Sequence, residues 1–345
     1  MPTNQLDQNP SPSSKSGTPS LTNGALFGNL MRPFLPEIVA VFLLVMAFVV
    51  GGLLSPFFLN GPFLLDSTTL FTEGAIISLG MTFVIISGNI DLSVASTMGL
   101  TACVMAVIHV QYNVPMEVAI PIALVLGTLL GAFNGWLIAR LRLPALAVTL
   151  ATMALYRGGA SILLGDHSLS QFPTWFMGVD QFVVPGTSIP VELILFFILA
   201  LILGLVLHRT VFGRWVFALG TNEEAARYSG IPVSRVKIAV FALNGFLSAL
   251  AGVIIVSRLA VARYDLGTGL ELDVITAVVL GGTNIYGGRG TIFGSVIAVF
   301  LVGFLRTGLG VANVTAQNQL AVIGTLLIIA VIASNFFNRV SRQHG

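Results

Sequence analysis

Gly220-Thr-Asn-Glu-Glu-Ala-Ala-Arg-Tyr-Ser-Gly230 is a short polar segment between two long apolar runs, and it reads as a capped helix. Thr221 and Glu224 stand at capping-box spacing, which satisfies two free amides at a helix start. Glu223 and Glu224 lie where the helix dipole favours negative charge, and Arg227 lies towards the end that favours positive charge. Gly230 fits the left-handed position after a helix, and Pro232 prevents continuation. About two turns of helix are marginal alone in water. Such a helix, from Asn222 to Ser229, implies a docking partner on its side of the chain.

The rest of the sequence explains which side that is. Of 345 residues, 55% are hydrophobic and only 9% are charged, with a mean hydropathy of +0.95. Soluble domains carry roughly 25% charged residues, so the composition dictates a polytopic, all-α membrane bundle in a lipid bilayer. Net charge is +2, which points to no partner, and no nucleic acid is expected. Cys103, the one cysteine, lies in an apolar run, so there is no disulfide framework. Residues 1–30 are rich in Ser, Pro, Asn and Gly and read as a disordered cytosolic tail, not a secretory signal.

A span needs about 20 apolar residues. Ten are expected within a transmembrane domain over 31–340: Pro36–Leu54, Leu70–Ile86, Val94–Val110, Val118–Ala139, Ala145–Leu164, Val191–Leu207, Ile238–Ser257, Leu272–Leu280, Ile292–Leu305 and Leu320–Ala333. The eighth is short and broken, running into the glycine-rich stretch Gly281–Gly290. Basic residues mark the cytosolic side. They cluster after the fourth span (Arg140, Arg142), in a cytosolic loop over 209–237, at Arg289 and at the C-terminus, whereas loops 55–69, 111–117 and 165–190 contain none. Both termini and the capped helix are therefore expected in the cytosol. Arg258, Arg263 and Arg306 lie near outer span ends, where snorkelling accounts for them.

Ionisable groups inside spans are costly and invite functional readings. Glu73 and Arg157 admit an interior ion pair with each other, a place on a substrate path, or a proton relay. Asp91 has a local explanation: Asn89, Asp91 and Ser93 are turn and N-cap types opening the third span. Gly282–Gly290 reads as a bend before it reads as a ligand cradle. Phe172, Trp175, Phe176 and Phe182 read as an interfacial belt. Thr82–Ile90 and Thr276–Ile285 share an apolar run ending in a Gly/Asn break, a slight internal echo. No phosphate-binding loop is possible, because neither Lys15 nor Lys237 follows a glycine. The four histidines lack metal-ligand spacing, and no nucleophile motif appears.

Glu224-Ala-Ala226, followed after three residues by Gly230, resembles the start of the EAA loop of bacterial ABC-importer permeases. Thr210–Gly220, Ser229–Lys237, Gly88-Asn-Ile-Asp-Leu-Ser93, Leu143–Thr152 and Ala277–Gly288 are similar to stretches of the ribose and monosaccharide branch, with the look of rhamnose and autoinducer-2 permeases. The I-x-L-P ending of the general EAA consensus is absent after Gly230. The resemblance implies a permease of the bacterial inner membrane that imports a sugar or sugar-like molecule without being an enzyme. Its implied partners are two cytosolic ATPases, which bind the ATP and Mg, a second permease, identical or related, and an extracytoplasmic sugar-binding protein. Asn222, Glu223, Glu224, Ala225, Ala226, Arg227 and Gly230 would contact the ATPase. Glu73, Ser87, Asn89, Asp91, Thr152, Arg157 and Asn244 are the candidates for a translocation path. The alternative is an ion-coupled secondary transporter using Glu73, Asp91 and Arg157.

Overall fold

The computed structural model describes residues 35–54, 58–315, 317–325 and 328. The expected N-terminal tail, the C-terminus and half of the tenth span lie outside these residues. A compact body begins at Pro36. Its helices are α1 (Leu35–Leu54), α2 (Gly61–Ser67), α3 (Thr72–Ile86), α4 (Val94–Val110), α5 (Met116–Arg140) and α6 (Ala145–Leu164). They continue as α7 (Val191–Arg209), α8 (Val211–Thr221), α9 (Glu223–Tyr228), α10 (Val233–Leu259), α11 (Leu270–Leu280) and α12 (Ile292–Val311).

Every residue of α3 except Gly74 is buried. A helix apolar all round belongs inside a bundle rather than against lipid, and α3 is the axle on which α10, α11 and α12 pack. Its hydroxyls bond within the bundle: Thr82 Oγ1 lies 2.8 Å from Ser295 Oγ on α12. The tightest pairing joins α5 to α10. Gly127, Gly131 and Gly135 recur every fourth residue along α5, and a Cβ at Gly135 would come within 2.7 Å of Ile238 Cα. At Gly131 it would overlap the Phe241 carbonyl oxygen, and at Gly245 of α10 that of Gly127. Absent side chains let the two backbones touch, which is how helices gain packing energy where lipid offers no hydrophobic drive.

Among the described residues five helices, α5, α6, α7, α10 and α12, are long and apolar enough to cross a membrane, or six if the pair Gly61–Leu70 and Thr72–Ile86, bent by 61°, counts as one span. Val94–Val110 and Ala40–Leu53 are apolar but shorter. The ten expected spans thus correspond to nine helices in the right places, α1, α3–α7 and α10–α12, plus a helical stretch at 317–325. Not all of them have full spanning length.

Several expectations need correction. Residues 211–221, expected only as part of a cytosolic segment, prove to be a helix, α8, whose Val216 and Leu219 turn one face into the bundle while Val211 and Thr221 stay exposed. Glu73 does not pair with Arg157. It accepts a bond from Arg258 Nε at 2.9 Å, with Arg258 Nη2 at 2.8 Å, while Arg157 Nη1 donates to the Tyr264 and Leu266 carbonyls. Arg306 pairs with Asp273 at 2.8 Å. Arg263 pairs with Asp265 at 2.7 Å. Arg157, Arg258 and Arg306 each meet an acid or a carbonyl on another segment, whereas Arg263 pairs within its own loop. The aromatic belt is split: Phe172 and Phe176 are buried in the core, and only Trp175 and Phe182 are exposed.

The internal echo has a structural counterpart. α3 ends with Gly88 at φ +77°, its N–H bonded to the Ile85 carbonyl and that of Asn89 to the Val84 carbonyl. α11 ends identically, with Gly282 at φ +89°, its N–H on Val279 and that of Thr283 on Val278. Both are Schellman endings, in which glycine supplies the left-handed residue. The glycine-rich stretch after α11 is accordingly a bend, closed by a bond from Asn284 N to the Arg289 carbonyl.

Candidate functional site

α9 is a short polar helix between α8 and α10. The N-cap is Asn222, not the expected Thr221: Asn222 Oδ1 accepts from Ala225 N at 2.9 Å. Thr221 is the last residue of α8 and donates to the Phe217 carbonyl. The capping box fails because α8 extends through Thr221, leaving Asn222 as the first residue with extended backbone. The other end follows expectation. Gly230 has φ +81°, its N–H meets the Arg227 carbonyl, and Ile231 N meets that of Ala226, each at 3.1 Å.

The helix has an inner and an outer face. Ala226 is buried against the bundle. Glu223 links Arg227 at 3.2 Å with Lys237 of α10 at 2.7 Å, and Lys237 is largely buried. That bridge anchors α9 to α10, a role the sequence did not announce, since 14 residues separate the partners. Glu224, Ala225, Arg227 and Tyr228 form the outer face; Tyr228 is 91% exposed. The sequence did not single out this exposed aromatic, because Tyr carries no capping or charge signal.

Next to α9, at the end of α8, three backbones cross. A Cβ at Gly220 would overlap the Ile86 carbonyl oxygen and reach Gly288 N at 2.5 Å. A Cβ at Gly287 would reach Gly88 Cα at 2.8 Å, and one at Gly288 the Thr221 hydroxyl at 2.7 Å. Gly288 N donates to the Ile86 carbonyl at 2.8 Å. The ends of α3 and α8 and the bend after α11 thus meet without side chains between them.

The path candidates fall into separate places. Asp91 is buried, accepting from Ser93 N at 2.9 Å and Ser93 Oγ at 2.6 Å through Oδ1, and from Asn244 Nδ2 at 3.0 Å through Oδ2. Asn134 Nδ2 donates to Ser93 Oγ, and Tyr156 OH to Asn134 Oδ1. This network joins the α3–α4 turn to α5, α6 and α10. Asp91 does serve the turn before α4, but the N-cap itself is Ser93, with no side-chain cap bond. Ser87 bonds the Val84 carbonyl, Asn89 bonds Ser87, and Thr152 bonds the Val148 carbonyl. Glu73 instead borders a small crevice between α3, α11 and α12, which Asp273 and Arg306 also line. It opens at the end of α3 opposite Gly88.

Comparison with known proteins identifies the class. Residues 63–331 match the family model described as the permease component of the branched-chain amino acid transport system. The chain belongs to this family: it is a multi-pass inner-membrane permease, a transport subunit of the ABC-importer kind. It is similar to the autoinducer 2 import system permease protein LsrD of Escherichia coli strain K12, 42% identical over 302 residues that cover 86% of this chain and 91% of the relative. It is likewise similar to LsrD of Salmonella paratyphi B, 41% identical over 311 residues, 88% and 92% of the two chains. No solved structure matches.

Proposed function

We propose that this chain is one membrane subunit of an ATP-driven importer for autoinducer 2 or a closely related sugar-like molecule. The observation that carries the coupling part is α9: a doubly capped polar helix, anchored by Glu223 and presenting Glu224, Arg227 and Tyr228 outward. Cytosolic ATPases dock there and bind the ATP and Mg, for which this chain has no motif. A second permease, identical or related, completes the pathway, and an extracytoplasmic sugar-binding protein delivers the cargo. The body has about ten spans with both termini in the cytosol. The cargo class is supported by the likeness to LsrD over most of both chains.

The runner-up, ion-coupled transport through Glu73, Asp91 and Arg157, finds no support in their placement: Glu73 and Asp91 are each bonded to different partners and Arg157 to backbone carbonyls. Proteoliposomes containing the permease, its ATPases and its binding protein are expected to take up cargo only with ATP. Uptake driven by a proton or sodium gradient without ATPase overturns the proposal. Glu224→Arg and Gly230→Val are expected to abolish coupled uptake while leaving membrane insertion intact, and normal uptake by both shows that α9 does not couple.

A further inference from the structure

We propose that the backbone crossing of Gly220, Gly88 and Gly287-Gly288 is the linkage that carries a displacement of α9 into the inner ends of α3 and α11. These glycines would then be positioning residues for transport. The inference rests on the reading of α9 as the ATPase contact and says where its motion goes.

Gly220 carries the argument. It lies inside α8 and has no left-handed backbone, so its conformation does not require glycine. Glycine within a helix is destabilising relative to alanine. What requires it here is the Ile86 carbonyl oxygen, which occupies the place of a Cβ. Gly220 is two residues before the Asn222 N-cap of α9, and Asn222 N bonds back to the Ala218 carbonyl. α9 is therefore tied to α8 within two residues of Gly220.

Contacts between side chains yield by changing rotamer, whereas close-packed backbones have no such freedom and pass strain on. At this crossing the receivers are the C-terminal ends of two helices closed by the same Schellman motif. The Gly288 N–H bond to Ile86 holds them together. From Gly88 the chain runs directly to Asp91, which holds Asn244 of α10. One push thus reaches three buried helices, while Glu223–Lys237 ties the first turn of α9, next to Asn222, to α10.

The test uses the assembled transporter in proteoliposomes. Gly220→Ala is expected to keep its ATPases and hydrolyse ATP, yet to lose uptake by roughly tenfold or more, as hinge-type variants do. Gly204→Ala on α7, where a Cβ would meet nothing closer than 3.9 Å, is expected to transport normally. Full uptake by Gly220→Ala overturns the linkage. Spin labels at Tyr228 and Tyr286, both exposed, give a second measurement that needs no variant at the crossing; Cys103 is buried and escapes labelling. On trapping the ATP-bound state, the Tyr228–Tyr286 distance is expected to hold while both distances to a label at Ile162 on α6 change. Tyr228 moving while Tyr286 stays refutes the linkage. A Tyr228 that does not move, or an unmodified permease that fails to retain its ATPases, instead refutes the coupling role of α9.

Discussion

Glu73 shows what a single residue reveals and conceals. A carboxylate within an apolar run must be satisfied inside the bundle, and that much is visible in the chain. Its partner was not, because Arg258 is 185 positions away and three other arginines stood at equally plausible depths. Removing one member of a buried pair strands the other, at a cost of about 3–5 kcal/mol. Glu73→Ala is therefore expected to lower the unfolding midpoint of the detergent-solubilised protein sharply. Glu73→Gln combined with Arg258→Met should recover much of the loss, and an unchanged midpoint for Glu73→Ala denies the pair its role. At the other end of the molecule, Asn222→Ala removes the N-cap bond of α9, worth about 1 kcal/mol. Uptake should fall and Asn222→Ser should restore it, and equal uptake by all three proteins shows the cap to be dispensable.

Among elements, the glycine face of α5 governs the scaffold. Gly131→Val has nowhere to place its side chain against the Phe241 carbonyl, so the α5–α10 pair must separate. Loss of the monodisperse peak in size-exclusion chromatography is expected, whereas Leu129→Ala, at an exposed position, should behave as the parent. A folded Gly131→Val protein contradicts this packing. The positions of most helices were legible, since apolar runs bounded by Gly, Pro and Arg are local signals. α8 was not, because Val211–Thr221 carries too few apolar residues for a span. Its structure comes from resting Val216 and Leu219 on the bundle, a tertiary effect. The echo between the ends of α3 and α11 was visible only as a likeness; that the breaks touch at Gly88 and Gly287 required the fold.

For the whole molecule, the distribution of arginine and lysine sets the orientation. A Tyr228→Cys protein is expected to react with a membrane-impermeant maleimide only in inside-out vesicles. Thr187→Cys, in a loop without basic residues, should react only from the outer face. The reverse pattern inverts the topology and removes α9 from the ATPases. The sequence by itself determined that the chain lives in a membrane, that its spans are helical and that one capped polar helix stands between them. These follow from composition, run length and capping, which act over a few residues. Only the tertiary structure decided which charges pair, which face of α9 is free, and that three glycine backbones cross beneath it. Those depend on contacts between segments tens to hundreds of residues apart, where close approach is fixed by the packing of whole helices.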